Sequence, residues 1–125
     1  QEAALDPGDI DYVSACANSS KGLDLMETNV IKEVFGPRAF SLPVSAIKSM
    51  VGESFSASGS LSLTAAVGAL QKEMIPPTAN YHERDPECDL DCVPNSALQK
   101  RIKNVLVTSA DPYGQNTAIV LGKYA

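Results

Sequence analysis

Apolar residues recur along this chain with two different periods. Ile10 to Cys16 (Ile-Asp-Tyr-Val-Ser-Ala-Cys) is rich in β-branched and aromatic residues and predicts a short strand. A polar loop follows, Asn18 to Gly22. Leu23, Met26, Val30, Ile31 and Val34 then repeat at helical intervals. Asp24 stands three residues before Glu27, the spacing of a capping box with Asp as the cap. Gly36-Pro37 stops that helix. Phe40, Leu42 and Val44 alternate around Pro43. Proline cannot donate to a ladder, so this strand is expected to lie at a sheet edge or to end there.

The stretch from Ile47 to Lys72 is a second helical region. Its first half holds Ser54, Ser56, Ala57, Ser58, Gly59 and Ser60, mostly poor helix formers that suit close approach to other backbone. Its second half, Leu61 to Leu70, is apolar on nearly all sides, which predicts a helix buried between layers. Ile75-Pro76-Pro77-Thr78 closes it. Residues 81–104 read as a polar connection punctuated by proline, with helical character near 97–102. Asn104–Ala110 and Thr117–Tyr124 read as strands joined by the turn 111–116. The order β-α-β-α-β-β predicts an α/β layered domain with a mixed sheet.

The chain has 125 residues, enough for one domain with a real core. Its net charge of −5 argues against nucleic acid or an anionic membrane as the main partner. No apolar run is long enough to span a bilayer, and no signal peptide is visible. Three cysteines make no disulfide framework and fit a reducing cytoplasm. Gln1 to Leu5 are good helix formers broken by Asp6-Pro7-Gly8, which reads as the end of a helix that begins elsewhere. The chain is therefore expected to be a piece of a longer protein.

Candidate chemistry is sparse. Cys88 and Cys92 stand four apart with His82 upstream, but a zinc site needs four ordered ligands; the segment reads as a structural loop, with no metal. Lys100-Arg101-Lys103 reads as a solvated basic face. At 44–53 a strand ends, Lys48 follows at once and Glu53 comes five residues later. Strand ends are where α/β folds place chemistry, and the plain structural reading is a Lys48–Glu53 ion pair.

Taken together, these segments resemble the C-terminal half of the β-ketoacyl-acyl-carrier-protein synthases, condensing enzymes of the thiolase fold. The family's N-A-H-G-T-S-T loop corresponds to Ser14-Ala15-Cys16-Ala17-Asn18-Ser19-Ser20. Its S-x-K-S-x-x-G-H-x-x-G-A-A-G element corresponds to residues 45–59. Pro76-Pro77-Thr78-Ala79-Asn80, the run Asp85 to Asn95 and the final turn Ala110 to Asn116 match in order. The match covers essentially the whole chain and implies one domain, 1–125, the C-terminal half of a thiolase-like fold. That implies a mixed sheet of five-stranded type with a buried helix layer. The N-terminal half, with the family's nucleophilic cysteine, is expected on a separate fragment.

The resemblance also implies which residues to inspect. Where active members carry two histidines, this chain carries Cys16 and Glu53. A thiol donates weakly and an ionised carboxylate only accepts, so neither replaces a neutral imidazole at a developing oxyanion. Lys48 and Glu27 are retained and read as scaffold-holding charges. Tyr113, Gly114 and Asn116 are expected to back the pseudo-site or tunnel. A ketosynthase-like chain without its catalytic histidines resembles a chain length factor, the ketosynthase β of type II polyketide synthases. That implies a cytoplasmic, non-catalytic subunit with no cofactor, paired with an active ketosynthase and served by an acyl carrier protein. The alternatives are a catalytically altered synthase doing acyl transfer or decarboxylation, and a thiolase-like pseudoenzyme outside polyketide synthesis.

Overall fold

A computed structural model describes residues 3–124. Its elements are β1 (Tyr12–Ser14), α1 (Lys21–Phe35), β2 (Val44–Ser45), α2 (Lys48–Val51), α3 (Ser58–Lys72), β3 (Met74–Ile75), β4 (Leu98–Gln99), β5 (Asn104–Ala110) and β6 (Asn116–Gly122). The sheet runs in the order β2-β1-β5-β6. β1 is parallel to both β2 and β5, and β6 returns antiparallel to β5, so the sheet is mixed as expected. Among the described residues it has four strands rather than five, because β3 and β4 form a separate two-stranded ribbon.

Successive strand residues face opposite sides of the sheet, and this sorts the core into two clusters. Val13 faces Ile31 and Phe35 of α1, with Leu42, Val44 and Leu90 beside them. Tyr12, Val105 and Val107 face Ala66, Ala69 and Leu70 of α3, with Ile75 and Ile102 closing that side. Val13 and Val105 are fully buried; each such side chain stabilises the fold by about 1.5–3 kcal/mol through lost water contact.

Several boundaries differ from the sequence reading. The strand expected over 10–16 is only Tyr12–Ser14, because the chain turns away to form the loop that follows. α1 begins before Asp24, with Ser20 at its cap position, so Asp24 and Glu27 form no capping box. Phe40 lies in a 3-10 turn, Gly36–Phe40, and the strand after it keeps only Val44–Ser45, at the sheet edge as proline demands. The second helical region breaks at Gly52, whose φ of +79° interrupts α2, and resumes through a 3-10 turn at Phe55–Ala57. Residues 97–102 are not helical; Leu98–Gln99 pairs with Met74–Ile75. The last strand ends at Gly122. Ala3–Leu5 are not helical either; Gln1 and Glu2, from the same expected turn, lie outside the described residues.

α3 is not buried all round. Ala66, Ala69 and Leu70 face the sheet, while Leu61 and Val67 are exposed among the described residues. No helix among the described residues is long and apolar enough to cross a membrane.

Candidate functional site: a thiol, a lysine and a carboxylate at the strand ends

β1 and β2 are parallel, so both run out on the same side of the sheet. The loop after β1 carries Cys16, and α2, directly after β2, starts with Lys48. Lys48 Nζ stands 3.6 Å from Cys16 Sγ and 3.1 Å from Glu53 Oε2. The three positions that the sequence singled out therefore meet in space. The Lys48 side chain is only 10% exposed, and Glu53 caps it from the solvent side at 31%.

The Cys16 thiol is buried against the backbone of Ala110 at the end of β5. Its sulfur accepts the Ala110 N–H at 3.3 Å and donates to the Ala110 carbonyl at 3.5 Å. Glu53 is held on three sides. It accepts from the Ser58 hydroxyl, from the Phe55 N–H at 2.9 Å and from Lys48. The Ser58 hydroxyl, the Lys48 ammonium and the Phe55 amide together lower its carboxyl to about 2. Glu53 is thus a fixed anion and an acceptor, with no proton to give near neutral pH.

The loop after β1 is held by α1 from behind. Glu27 accepts the N–H of Cys16 at 2.9 Å and of Ala17 at 3.0 Å, and the Thr108 hydroxyl donates to it as well. Asp24 accepts from Asn18 and Ser19, each at 3.1 Å. Burial pushes the Asp24 carboxyl up while those two amides pull it down. Both carboxylates reach back from the first turns of α1 to orphan amides of the loop, so their oxygens are occupied in positioning backbone.

A cleft of about 650 Å³ opens beside this cluster, lined by Asn18, Lys48, Glu53, Ala79, Tyr81 and Cys92 among others. Cys88 also lines it, and burial raises the Cys92 thiol. Among the described residues no three His, Cys, Asp or Glu side chains gather as a metal would require. Tyr113, Gly114 and Asn116 stand apart, on the β5–β6 turn. Tyr113 is 90% exposed, and none of the three lines the cleft.

Sequence reasoning missed Thr108 and Ser58. Thr108 is 92 residues from Cys16 and meets it only through the β1–β5 pairing. Ser58 is five residues from Glu53 and was legible as a neighbour, though its hydroxyl was hidden among many serines.

Residues 1–82 match the C-terminal domain of β-ketoacyl synthases. The chain belongs to the β-ketoacyl synthase family. It is 44% identical over 119 residues to a putative polyketide β-ketoacyl synthase 1 of Streptomyces cyaneus, covering 95% of this chain and 28% of that protein. Its fold superposes with a TM-score of 0.94 on the ishigamide ketosynthase/chain length factor, at 35% identity over 99% of this chain and 30% of that one. It superposes at 0.96, with 34% identity over 98% of this chain and 30% of the other, on a type II polyketide synthase ketosynthase solved with its acyl-carrier protein. These ketosynthases confirm the thiolase-like α/β fold and the type II polyketide synthase relatives. The chain spans less than a third of their length.

Proposed function

We propose that this chain is the C-terminal portion of a non-catalytic chain length factor, the ketosynthase β of a type II polyketide synthase. Cys16 and Glu53 carry the reading. They stand at the two positions where the family's resemblance calls for histidines, and each is already committed. The thiol lies against Ala110 and the carboxylate is an anion bound to Lys48 and Ser58. An anion there repels a developing enolate instead of stabilising it.

On this reading the protein pairs with an active ketosynthase and shapes the space in which the chain grows on an acyl carrier protein. An N-terminal portion, expected as a separate fragment of the same precursor, would cover the exposed Leu61 and Val67 of α3. Tyr113, Gly114 and Asn116 would face the partner or the tunnel, since nothing among the described residues covers Tyr113.

The test uses the full-length protein assembled with its ketosynthase and carrier. The Cys16→Ala, Glu53→Gln double variant is expected to leave polyketide output within about twofold, whereas loss of an oxyanion donor costs about 10²–10³ in rate. A loss of that size with assembly intact overturns the reading. The relative named β-ketoacyl synthase 1 favours a second one, a catalytically altered synthase. Condensation or malonyl decarboxylation by the protein without its partner would establish that instead.

A further inference from the structure

Cys16 and Lys48 lie 32 residues apart in the chain, yet Lys48 Nζ stands 3.6 Å from Cys16 Sγ. The thiol is free. Its position is set by one peptide unit: the Ala110 N–H donates to the sulfur at 3.3 Å, and the sulfur donates to the Ala110 carbonyl at 3.5 Å. The Cys16 N–H is held as well, by Glu27 at 2.9 Å and the Thr108 hydroxyl at 3.1 Å. Glu53 fixes Lys48 at 3.1 Å, and the lysine side chain is only 10% exposed. An oxidisable sulfur and a primary amine are therefore each anchored, and they face each other. Two groups held in that way react far faster than the same groups free in solution.

Access is from the cleft. Ala15, Ala17 and Lys48 line it, and Cys16 itself is 8% exposed between them. Hydrogen peroxide is scarcely larger than water, so it reaches a sulfur that bulkier reagents do not. Cys88 and Cys92 line the same cleft, but among the described residues no lysine hydrogen-bonds to either sulfur. They are internal controls for the chemistry of a thiol without an amine beside it.

We propose that hydrogen peroxide joins Cys16 to Lys48 through a sulfenamide bond that thiols reverse, a modification site that ties the loop after β1 to α2. In the first step peroxide takes two electrons from the thiol: one oxygen stays on the sulfur as sulfenic acid and the other leaves as water. In the second the Lys48 ammonium gives one proton to water and its nitrogen attacks the sulfur. The N–S bond forms, the S–O bond breaks, and the oxygen leaves as a second water with a proton from the nitrogen. A thiol reductant supplies two electrons and restores the free thiol and amine. The link removes the ammonium, so Glu53 loses its cation while the two segments that border the cleft become covalently tied. It needs neither condensation nor a partner subunit, and it forms equally in a catalytic or a non-catalytic protein.

The test treats the native full-length protein with a small excess of hydrogen peroxide, removes the peroxide with catalase, blocks free thiols with iodoacetamide and maps tryptic peptides by mass spectrometry. The expected product joins the peptide that contains Cys16 and ends at Lys21 to residues 39–72, uncut at Lys48. Its mass is that of the two peptides less two hydrogens. Dithiothreitol before digestion is expected to restore cleavage at Lys48 and a free Cys16. Lys48→Arg is expected to abolish the link, because a guanidinium does not deprotonate to attack, and to let Cys16 run on to sulfinic acid. If Lys48→Arg does not melt as the parent does, Lys48→Gln is read in its place. Protein unfolded in urea before peroxide is expected to give at least about tenfold less of the product. Recovery of Cys16 only as sulfinic or sulfonic acid, or as a disulfide, with Lys48 cleaved as usual, overturns the proposal. So does an equal yield from unfolded protein, or a link from Cys16 to other lysines in equal amount.

Discussion

Lys48 and Glu53 stand 3.1 Å apart, and the lysine is the more buried of the two. Glu53→Gln removes the anion and leaves the ammonium beside the Cys16 sulfur and a neutral amide, with the Asp24 carboxylate as the remaining charge near it. The pair lies between the exposed and the fully buried cases, so the expected loss is about 1–2 kcal/mol. Lys48→Met with Glu53→Gln is expected to recover part of it, because no charge is left half-buried. Urea melts of the four members of this cycle measure the coupling; additive losses would show that the pair contributes nothing.

The same pair sets an acid dependence. The Glu53 carboxyl is lowered from an ordinary 4.5 to about 2, so its stabilisation is present in full above the unfolded value. It is lost progressively as pH falls through that window, where the unfolded chain takes up the proton first. Wild type is therefore expected to lose stability more steeply than Glu53→Gln between pH 5 and pH 3, as measured by the urea midpoint at each pH; parallel curves would remove Glu53 from the acid limb.

Glu27 holds the loop through the amides of Cys16 and Ala17 and the Thr108 hydroxyl. Glu27→Ala strands those donors in a part-buried place. The expected cost is about 2–4 kcal/mol, since each stranded buried donor loses its full solvation. Thr108→Val removes one donor to Glu27 and one acceptor for the Cys16 amide, so it is expected to cost less, about 1–2 kcal/mol. Amide exchange at residues 16 and 17 is expected to accelerate in both, and unchanged exchange would show that the loop holds itself.

How much of this was legible in the sequence follows from range. β5 was read to the residue and β6 to within two residues because their signal is local: an unbroken β-branched run and a turn. The edge placement of β2 followed from Pro43 alone. The failures came where backbone geometry competes with periodicity. Gly52 breaks a helix whose apolar pattern runs on, and Leu98–Gln99 becomes a strand because Met74–Ile75 offers it a partner. At the site, Cys16, Lys48 and Glu53 were found by motif, and their ion pair by spacing. Thr108 was not, since the contact that gives it meaning spans the whole chain.

Tyr12 tests the buried polar layer between the sheet and α3. Its hydroxyl meets the Ser45 hydroxyl at 2.8 Å with both side chains buried, and burial raises its phenol. Tyr12→Phe keeps the ring in the α3-side core and leaves Ser45 without that partner. The expected loss is about 1–2 kcal/mol. Ser45→Ala alone strands the phenol at a similar cost. The double variant is expected to cost less than the two single losses combined, because neither hydroxyl is left without the other. Full additivity in thermal or urea melts would show that the two hydroxyls do not depend on each other.

Gly114 and Tyr113 separate shape from stability on the β5–β6 turn. Gly114 sits at φ +87°, a conformation that side chains resist, so Gly114→Ala is expected to cost about 1 kcal/mol or more although nothing crowds its Cβ. Tyr113 is 90% exposed, so Tyr113→Ala is expected to stay within about 0.5 kcal/mol of the parent. If the turn backs the polyketide tunnel in the assembled complex, Tyr113→Ala enlarges that space and shifts the products toward longer chains while the melting temperature holds. Identical product lengths by mass spectrometry, with assembly intact, would remove Tyr113 from the tunnel and leave it a surface residue.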